Sequence, residues 1–233
     1  TRCDPRRDGY SGGCFEALRS AMDWLASLDE LGLEVAPGAL VRLERLADEL
    51  QRWNRRRNLT AITVRDEILE KHLLDSLTLL PLIKGRGRLL DIGSGAGFPA
   101  LPLKIARPDL DVVSVDAVGK KIDFQRHIAR AFRLDGFTAL HERIESLVDH
   151  ADFRQGFETV TARAVCSLGE LQAMAKPFLV PGGRLLAMKG PGGGREIDAL
   201  AGPSLGSDRV VNLHRLKLPV SGAGRCLIEI EYL

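Results

Sequence analysis

The stretch with the clearest chemical potential is Asp91-Ile92-Gly93-Ser94-Gly95-Ala96-Gly97-Phe98, an acid followed by three glycines at alternate positions. Glycines let a chain turn sharply and let a ligand approach the backbone with no side chain in between. Asp116 follows 25 residues after Asp91, and a carboxylate so placed can accept hydrogen bonds from both hydroxyls of a ribose. A dinucleotide fingerprint needs its third glycine one place later, where Phe98 stands. A second cluster is cationic: Arg52, Arg55, Arg56 and Arg57 put four charges within six residues, with no acid among them. Arginine forks suit phosphate groups, although cations also belong at a helix C-terminus. Arg65, Lys71, Lys120, Lys121, Arg126, Arg163 and Lys189 extend the set of candidate phosphate contacts. His72 and Asp75 are three apart and so share a helix face. They are placed either to shape a pocket or orient Asn58, or to tie a helical segment to the rest of the fold. The cysteines Cys3, Cys14, Cys166 and Cys226 are scattered, with no C-x-x-C pair and no histidine at ligand spacing. No metal site is expected, and reduced thiols are.

The elements that must position these groups fall into two regions. Residues 1–85 read as a helical segment. Phe15 to Leu28 suits a helix, and the spacing Leu40, Leu43, Leu46, Ala47, Leu50, Trp53 predicts an amphipathic one. A further helix is expected after Thr63, capped by its hydroxyl with Asp66 three residues on, and striped by Ile68, Leu69, Leu73, Leu77 and Leu80. Residues 86–233 alternate strand and helix: strand Leu89–Ile92, helix Ala100–Ala106, strand Asp111–Val115, helix Lys120–Leu134, strands Thr138–His141 and Thr159–Ala164, helix Leu168–Leu179, and strand Arg184–Met188 after the turn Pro181–Gly183. That order predicts an α/β fold with a mostly parallel sheet covered on both faces. Arg209–Leu218 and Arg225–Tyr232 alternate like strands around the turn Pro219–Gly224, and predict an antiparallel hairpin at the sheet edge.

An acid before G-x-G-x-G at the end of a first strand resembles the first motif of S-adenosylmethionine-dependent methyltransferases. Further motifs narrow the likeness: Trp53-Asn54, Asn58-Leu59-Thr60, His72-Leu73-Leu74-Asp75-Ser76, Asp91 to Pro99, Arg107-Pro108, Val115-Asp116 with Gly119-Lys120-Lys121, Arg143-Ile144-Glu145, Thr161-Ala162-Arg163-Ala164 and Lys189-Gly190. In this order, over roughly residues 40–200, the chain resembles the RsmG (GidB) family of 16S ribosomal RNA guanine-N7 methyltransferases. The resemblance implies a Rossmann-like class I methyltransferase sheet and S-adenosyl-L-methionine as cofactor. The implied substrate atom is N7 of guanine 527 in 16S rRNA. It implies cofactor contacts at Gly93, Phe98, Asp116, Ile144, Glu145 and Arg163, in a turn that also includes Asp91, Gly95 and Gly97. For Arg163 three partners are open: the methionyl carboxylate, an RNA phosphate, or a structural ion pair with Glu145 or Asp91. The chain departs from the family in residues 1–35, and at Arg57, where the family often carries an aromatic residue.

Guanine N7 already has a free lone pair, so no catalytic nucleophile or general base is expected. Rate would come from alignment and exclusion of water. With 33 Lys and Arg against 31 Asp and Glu, the chain is not coated in positive charge; phosphate binding needs a local patch. The start, TRCDPRRDGY, lacks the apolar stretch of a signal peptide, and no apolar run is long enough to span a bilayer. A cytoplasmic monomer acting on 16S rRNA or the small subunit is expected. The alternatives are a methyltransferase of small molecules or proteins, and an rRNA-binding module without catalysis.

Overall fold

The computed structural model describes residues 24, 26–200 and 209–233. Most of the expected helix Phe15–Leu28 therefore lies outside the described residues, although residues 26–30 are helical. The first long helix, α1 (Pro37–Arg57), starts three residues before the leucine stripe, with Pro37 at its opening turn, where a missing N–H costs nothing. Its apolar face, Leu43, Leu46, Ala47 and Leu50, is fully buried.

The segment after α1 differs from expectation. Thr63 does not cap the next helix: α2 (Arg65–Ile68) begins one residue later, with Val64 extended at the cap position and no side-chain cap. The Thr63 carbonyl instead accepts from Gln51 Nε2 at 3.0 Å, which holds the loop against α1. The leucine stripe is also not one regular helix. A π-helix (Leu69–Leu74) separates α2 from the short α3 (Asp75–Leu77), and a 3-10 turn (Leu80–Leu82) follows. Leucine spacing cannot register an inserted π-turn, because the same side chains stay buried through it. π-turns recur at functional sites, and this one carries His72.

From Arg88 the chain follows the predicted alternation: β1 (Arg88–Ile92), α4 (Ala100–Ala106), β2 (Asp111–Asp116), α5 (Gly119–Ala131), β3 (Phe137–His141), β4 (Phe157–Arg163), α6 (Leu168–Ala175) and β5 (Leu179–Lys189). β6 (Arg209–Lys217) and β7 (Gly224–Tyr232) complete a seven-stranded sheet in the order β3-β2-β1-β4-β5-β7-β6. The first five strands are parallel, and β7 and β6 add antiparallel to β5. The expected hairpin is therefore present, and Pro181–Gly183 is a register irregularity within β5 rather than a turn before it. Such a bulge keeps proline out of the ladder. One element went unforeseen, the helix α7 (Gly194–Leu200).

Strand order reverses between β1, which starts the run toward β3, and β4, which starts the run toward β6. Ligands of open parallel sheets bind at that switch point, outside the strands' carboxyl ends. The helical segment closes over this edge. Leu46, Leu50, Leu73 and Leu77 share one apolar cluster with Phe98 and Leu101 of the turn and α4, and with Phe124 and Ile128 of α5. Among the described residues no helix is long and apolar enough to cross a membrane.

Candidate functional site

The three glycines after β1 have three different jobs, and all take positive φ: +65°, +60° and +92° at Gly93, Gly95 and Gly97. A Cβ on Gly97 would lie 2.5 Å from Leu101 Cδ1, so this glycine lets the turn pack on α4. One on Gly93 would lie 2.7 Å from Val165 Cγ2, so this glycine admits the loop that follows β4. At Gly95 the nearest atom would be Lys121 Nζ at 3.9 Å, leaving its backbone open to a ligand. Gln125, buried on α5, braces the turn by donating to Ser94 Oγ and to the Gly95 carbonyl, both at 2.8 Å. Sequence reasoning missed it; its signal was an amide in a helix position otherwise suited to an apolar residue.

Asp116 ends β2 facing this turn. Its two carboxylate oxygens accept from the Gly95 and Val118 amides, each at 2.8 Å. Asp91 is fully buried beneath the turn. One oxygen accepts from Ala100 N at 3.1 Å; the other has no partner. Burial pushes the Asp91 carboxyl up to about 8, against the Ala100 amide and the Arg163 charge, which favour its ionised form. An orphaned buried carboxyl oxygen at the foot of the glycine turn is an unmet hydrogen-bonding group. Ile144 and Glu145 stand on the 3-10 turn (Ile144–Leu147) after β3, on the same sheet edge, Ile144 buried and Glu145 exposed.

On the β4 side, Arg163 is the hub of a polar network. Its guanidinium donates to the Lys71 carbonyl at 3.0 Å and to His72 Nδ1 at 3.1 Å, and lies 3.7 Å from Asp75. Its ion-pair partner is thus Asp75, neither Glu145 nor Asp91. His72 Nδ1 accepts, so the ring proton sits on Nε2, 2.9 Å from the Thr60 hydroxyl. Burial and the Arg163 charge lower His72 to about 3, which keeps the ring neutral. The imidazole stacks on Phe98, centroids 4.6 Å apart and planes within 10°, and Arg163 lies 5.7 Å from the same ring. His72 and Asp75 do share a face, as the spacing implied, but both turn to Arg163. Asn58 is not their partner: it is exposed, in the left-handed region at φ +46°, where it ends α1. Asn54 holds that loop, accepting from Leu59 N and Thr60 N at 2.6 and 2.9 Å.

Two carboxylates, one on the π-helix and one opening α3, tie this helical segment to β7 and the β6–β7 turn. Asp75 accepts from Arg225 Nε at 2.9 Å, and burial raises its carboxyl despite Arg225 and Arg163. Glu70 accepts from the Val220 and Ser221 amides of the β6–β7 turn, at 2.9 and 2.7 Å. These partners lie 150 or 151 residues away in sequence, so nothing local announced them.

A model for the family described as GidB, rRNA small subunit methyltransferase G, matches residues 40–211. The chain belongs to this family. The methyltransferase G protein of Syntrophotalea carbinolica is 49% identical over 205 residues, 88% of this chain and 94% of that protein. That of Myxococcus xanthus is 45% identical, covering 84% and 89%. Among solved structures, a fibrillarin/Nop5p complex superimposes with TM-score 0.54 at 13% identity, over 69% of this chain and 84% of that one. M. capricolum TrmK bound to S-adenosyl-homocysteine gives 0.53 at 13% identity, over 67% of each chain. At that identity the likeness is one of fold, and the fold is the Rossmann-like α/β sheet expected from the sequence.

The cationic residues of this GidB-family chain divide by environment. Arg52, Arg55, Arg56 and Arg57 are exposed at the end of α1, with Arg52 3.2 Å from Glu49. Lys120 and Lys121 open α5, half-exposed. Arg126 is exposed but donates Nε to the Ala139 carbonyl at 3.0 Å, which fastens α5 to β3. Lys189 is buried, with its ammonium bonded to Glu196 at 3.0 Å and to the Cys166 carbonyl. That placement takes Lys189 off the surface a phosphate can reach. Cys166 and Cys226 are unpaired, Cys3 and Cys14 lie outside the described residues, and no metal-binding cluster occurs among the described ones.

Proposed function

We propose that the protein binds S-adenosyl-L-methionine over the glycine turn and transfers its methyl group to N7 of guanine 527 in 16S rRNA, as a cytoplasmic monomer. The observation that carries the reading is one arrangement inside a family-defining sequence: an orphaned acid, an open glycine and a strand-ending acid on one sheet edge. Asp116 is the residue to hold the ribose, exchanging its amide donors for hydroxyls. The backbone at Gly95 is the surface a ligand lies against, and the free oxygen of Asp91 awaits a donor. Ile144 and Glu145 flank the far end of the crevice, where the adenine belongs.

The chemistry that bound S-adenosyl-L-methionine supplies is an electrophilic sulfonium methyl, and guanine N7 meets it with a lone pair of its own. No side chain has to remove a proton. His72 fits that account: its Nδ1 lone pair is already used by Arg163 and its proton by Thr60, so it is not a free base. The work left to the protein is alignment and exclusion of water, and the helical segment closing over the sheet edge serves both. Mapping N7-methylguanine in 16S rRNA from cells with and without the protein tests the proposal. Methylation at guanine 527 in both would overturn it.

A further inference from the structure

α1 and α5 lie antiparallel along one flank of the molecule, and the contacts between them fix the alignment. Trp53 meets Phe124 at 5.6 Å and His127 at 5.0 Å. Glu49 stands 3.5 Å from His127. Arg45 and Arg42 lie 4.8 and 5.9 Å from the Phe132 ring just past α5. Rising numbers on α1 thus meet falling numbers on α5. The same alignment directs the end of α1, with Arg56 and Arg57, toward the start of α5, with Lys120 and Lys121, at the carboxyl edge of the sheet.

Helical spacing sorts the charges of α1 onto two sides. Arg42, Arg45, Glu49, Arg52 and Arg56 fall on the flank facing α5, whereas Glu44 falls away from it and Asp48, a helix neighbour of Arg45 and Arg52, is engaged by Arg65 at 3.2 Å. On α5, Lys120, Asp123, His127 and Arg130 border the same seam. Glu49 gives the seam little negative character, since its side chain is 10% exposed and is shared between Arg52 and His127. That leaves Asp123 as an exposed acid bordering the seam, against Arg42, Arg45, Arg52, Arg56, Lys120 and Arg130. Among the described residues, Arg45, Arg56 and Arg130 have no carboxylate partner. Arg42 is further fixed by its bond to the Phe132 carbonyl, and Arg45 by the ring, so both guanidiniums are ordered before any ligand arrives.

We propose that this seam is the track on which the RNA strand leading to the target guanine lies, running outward from the crevice to Arg45 and Arg130. The proposal rests on the function argued above, and adds to it the direction and the far end of the RNA path. From Arg45 to Arg56 the track is about 16 Å long at roughly 1.5 Å per helical residue. That length matches about four or five phosphates at roughly 3.4 Å of rise per nucleotide. Arg45 and Arg130 touch neither the glycine turn nor Asp116, so they report on RNA alone.

The test uses the whole protein and small ribosomal subunits from cells that lack it. The variant is Arg45→Glu combined with Arg130→Glu, and a charge-matched control is Lys84→Glu combined with Arg154→Glu. The track predicts that the seam variant weakens subunit binding at least tenfold at fixed salt and flattens the slope of log affinity against log salt by about two. It predicts a raised KM for subunits with kcat kept, and cofactor affinity by calorimetry within about twofold of the parent. Circular dichroism confirms that both variants are folded. A seam variant that binds subunits like the control, or keeps the parental salt slope, overturns the track. Failure of the unsubstituted protein to methylate the subunits instead overturns the functional reading, because binding is measured without methyl transfer.

Discussion

Asp91→Asn should stabilise the protein, and more so as pH rises. The Asp91 carboxyl is fully buried with one oxygen unpartnered and titrates near 8, against 3.8 for the unperturbed group. A group whose folded pKa is raised contributes its full stability below the unfolded value. It loses that stability as pH climbs through the folded value, here between about 4 and 8. The loss is about 1.4 kcal/mol per pH unit, so from pH 5 to pH 8 it approaches about 4 kcal/mol. Asparagine keeps an oxygen for the Ala100 amide and never ionises. The gap between variant and parent should therefore widen by that amount over the range, measured by urea unfolding at each pH. Taking the difference cancels other titrations, including that of His72. Its lowered pKa has the opposite sign and gives stability above about 6.5 that fades in acid. A gap constant within about 1 kcal/mol would refute the reasoning, since it would mean that Asp91 is ionised at no cost. With cofactor added, a donor reaching the orphan oxygen should pull the carboxyl back toward its ionised form. Binding near pH 7 would then release a proton from the parent and none from the variant, seen as a buffer-dependent enthalpy.

Asp116→Ala should weaken cofactor binding at least tenfold by calorimetry, because it removes the acceptor and strands the Gly95 and Val118 amides; an unchanged affinity would cancel the ribose assignment. Gly97→Ala and Gly95→Ala should separate stability from binding. The first forces a methyl against Leu101 and should cost about 1–3 kcal/mol of unfolding free energy. Both place a side chain in the left-handed region, which costs about 1–2 kcal/mol. The second, otherwise facing open space, should add no clash and should reduce cofactor affinity; a Gly95→Ala destabilisation as large as that of Gly97→Ala would contradict the division of labour among the glycines. At His72, asparagine keeps an acceptor near Nδ1, glutamine keeps a donor near Nε2, and phenylalanine keeps only the stack on Phe98. If Arg163 is what His72 positions, single-turnover methylation should survive in the asparagine variant and fall at least tenfold in the other two. Activities that simply track melting temperature would assign His72 a structural role alone.

The parts of this site that the sequence disclosed are those in which one short segment does the whole job. Glycines at alternate positions after an apolar strand, and an acid at the end of the next strand, are local patterns, and the structure places them as read. What the sequence withheld is pairing across the chain. Arg163 was visible as a charge at a strand end, but its partners came from a helical segment 91 and 92 residues away. Thr63 looked like a cap because capping is read from three or four neighbours, whereas its loop is held by Asn54 and Gln51 from the preceding helix. Lys189 looked like a surface cation, and only the packing of α7 supplied the glutamate that buries it.

The same distinction governs the charge arithmetic. Residues 1–57 hold ten basic and ten acidic residues, so the segment looks neutral by count. Folding breaks that neutrality by geometry. α1 turns Glu44 away from the seam, engages Asp48 with Arg65 and Glu49 with Arg52 and His127, and leaves Arg45 and Arg56 without a carboxylate partner among the described residues. Opposite charges in equal number cancel only at distances large compared with their separation, and salt limits the reach of each exposed charge to a screening length of about 8 to 10 Å. A phosphate lying on the seam is closer than that to Arg45, Arg52 or Arg56, while the nearby acids Asp48 and Glu49 are each held by a cation of their own. A chain with a net charge of +2 therefore presents RNA with a locally cationic face. The face follows from the ion pairs that occupy Asp48 and Glu49, and from the Trp53 and Phe132 contacts, which set the second helix alongside.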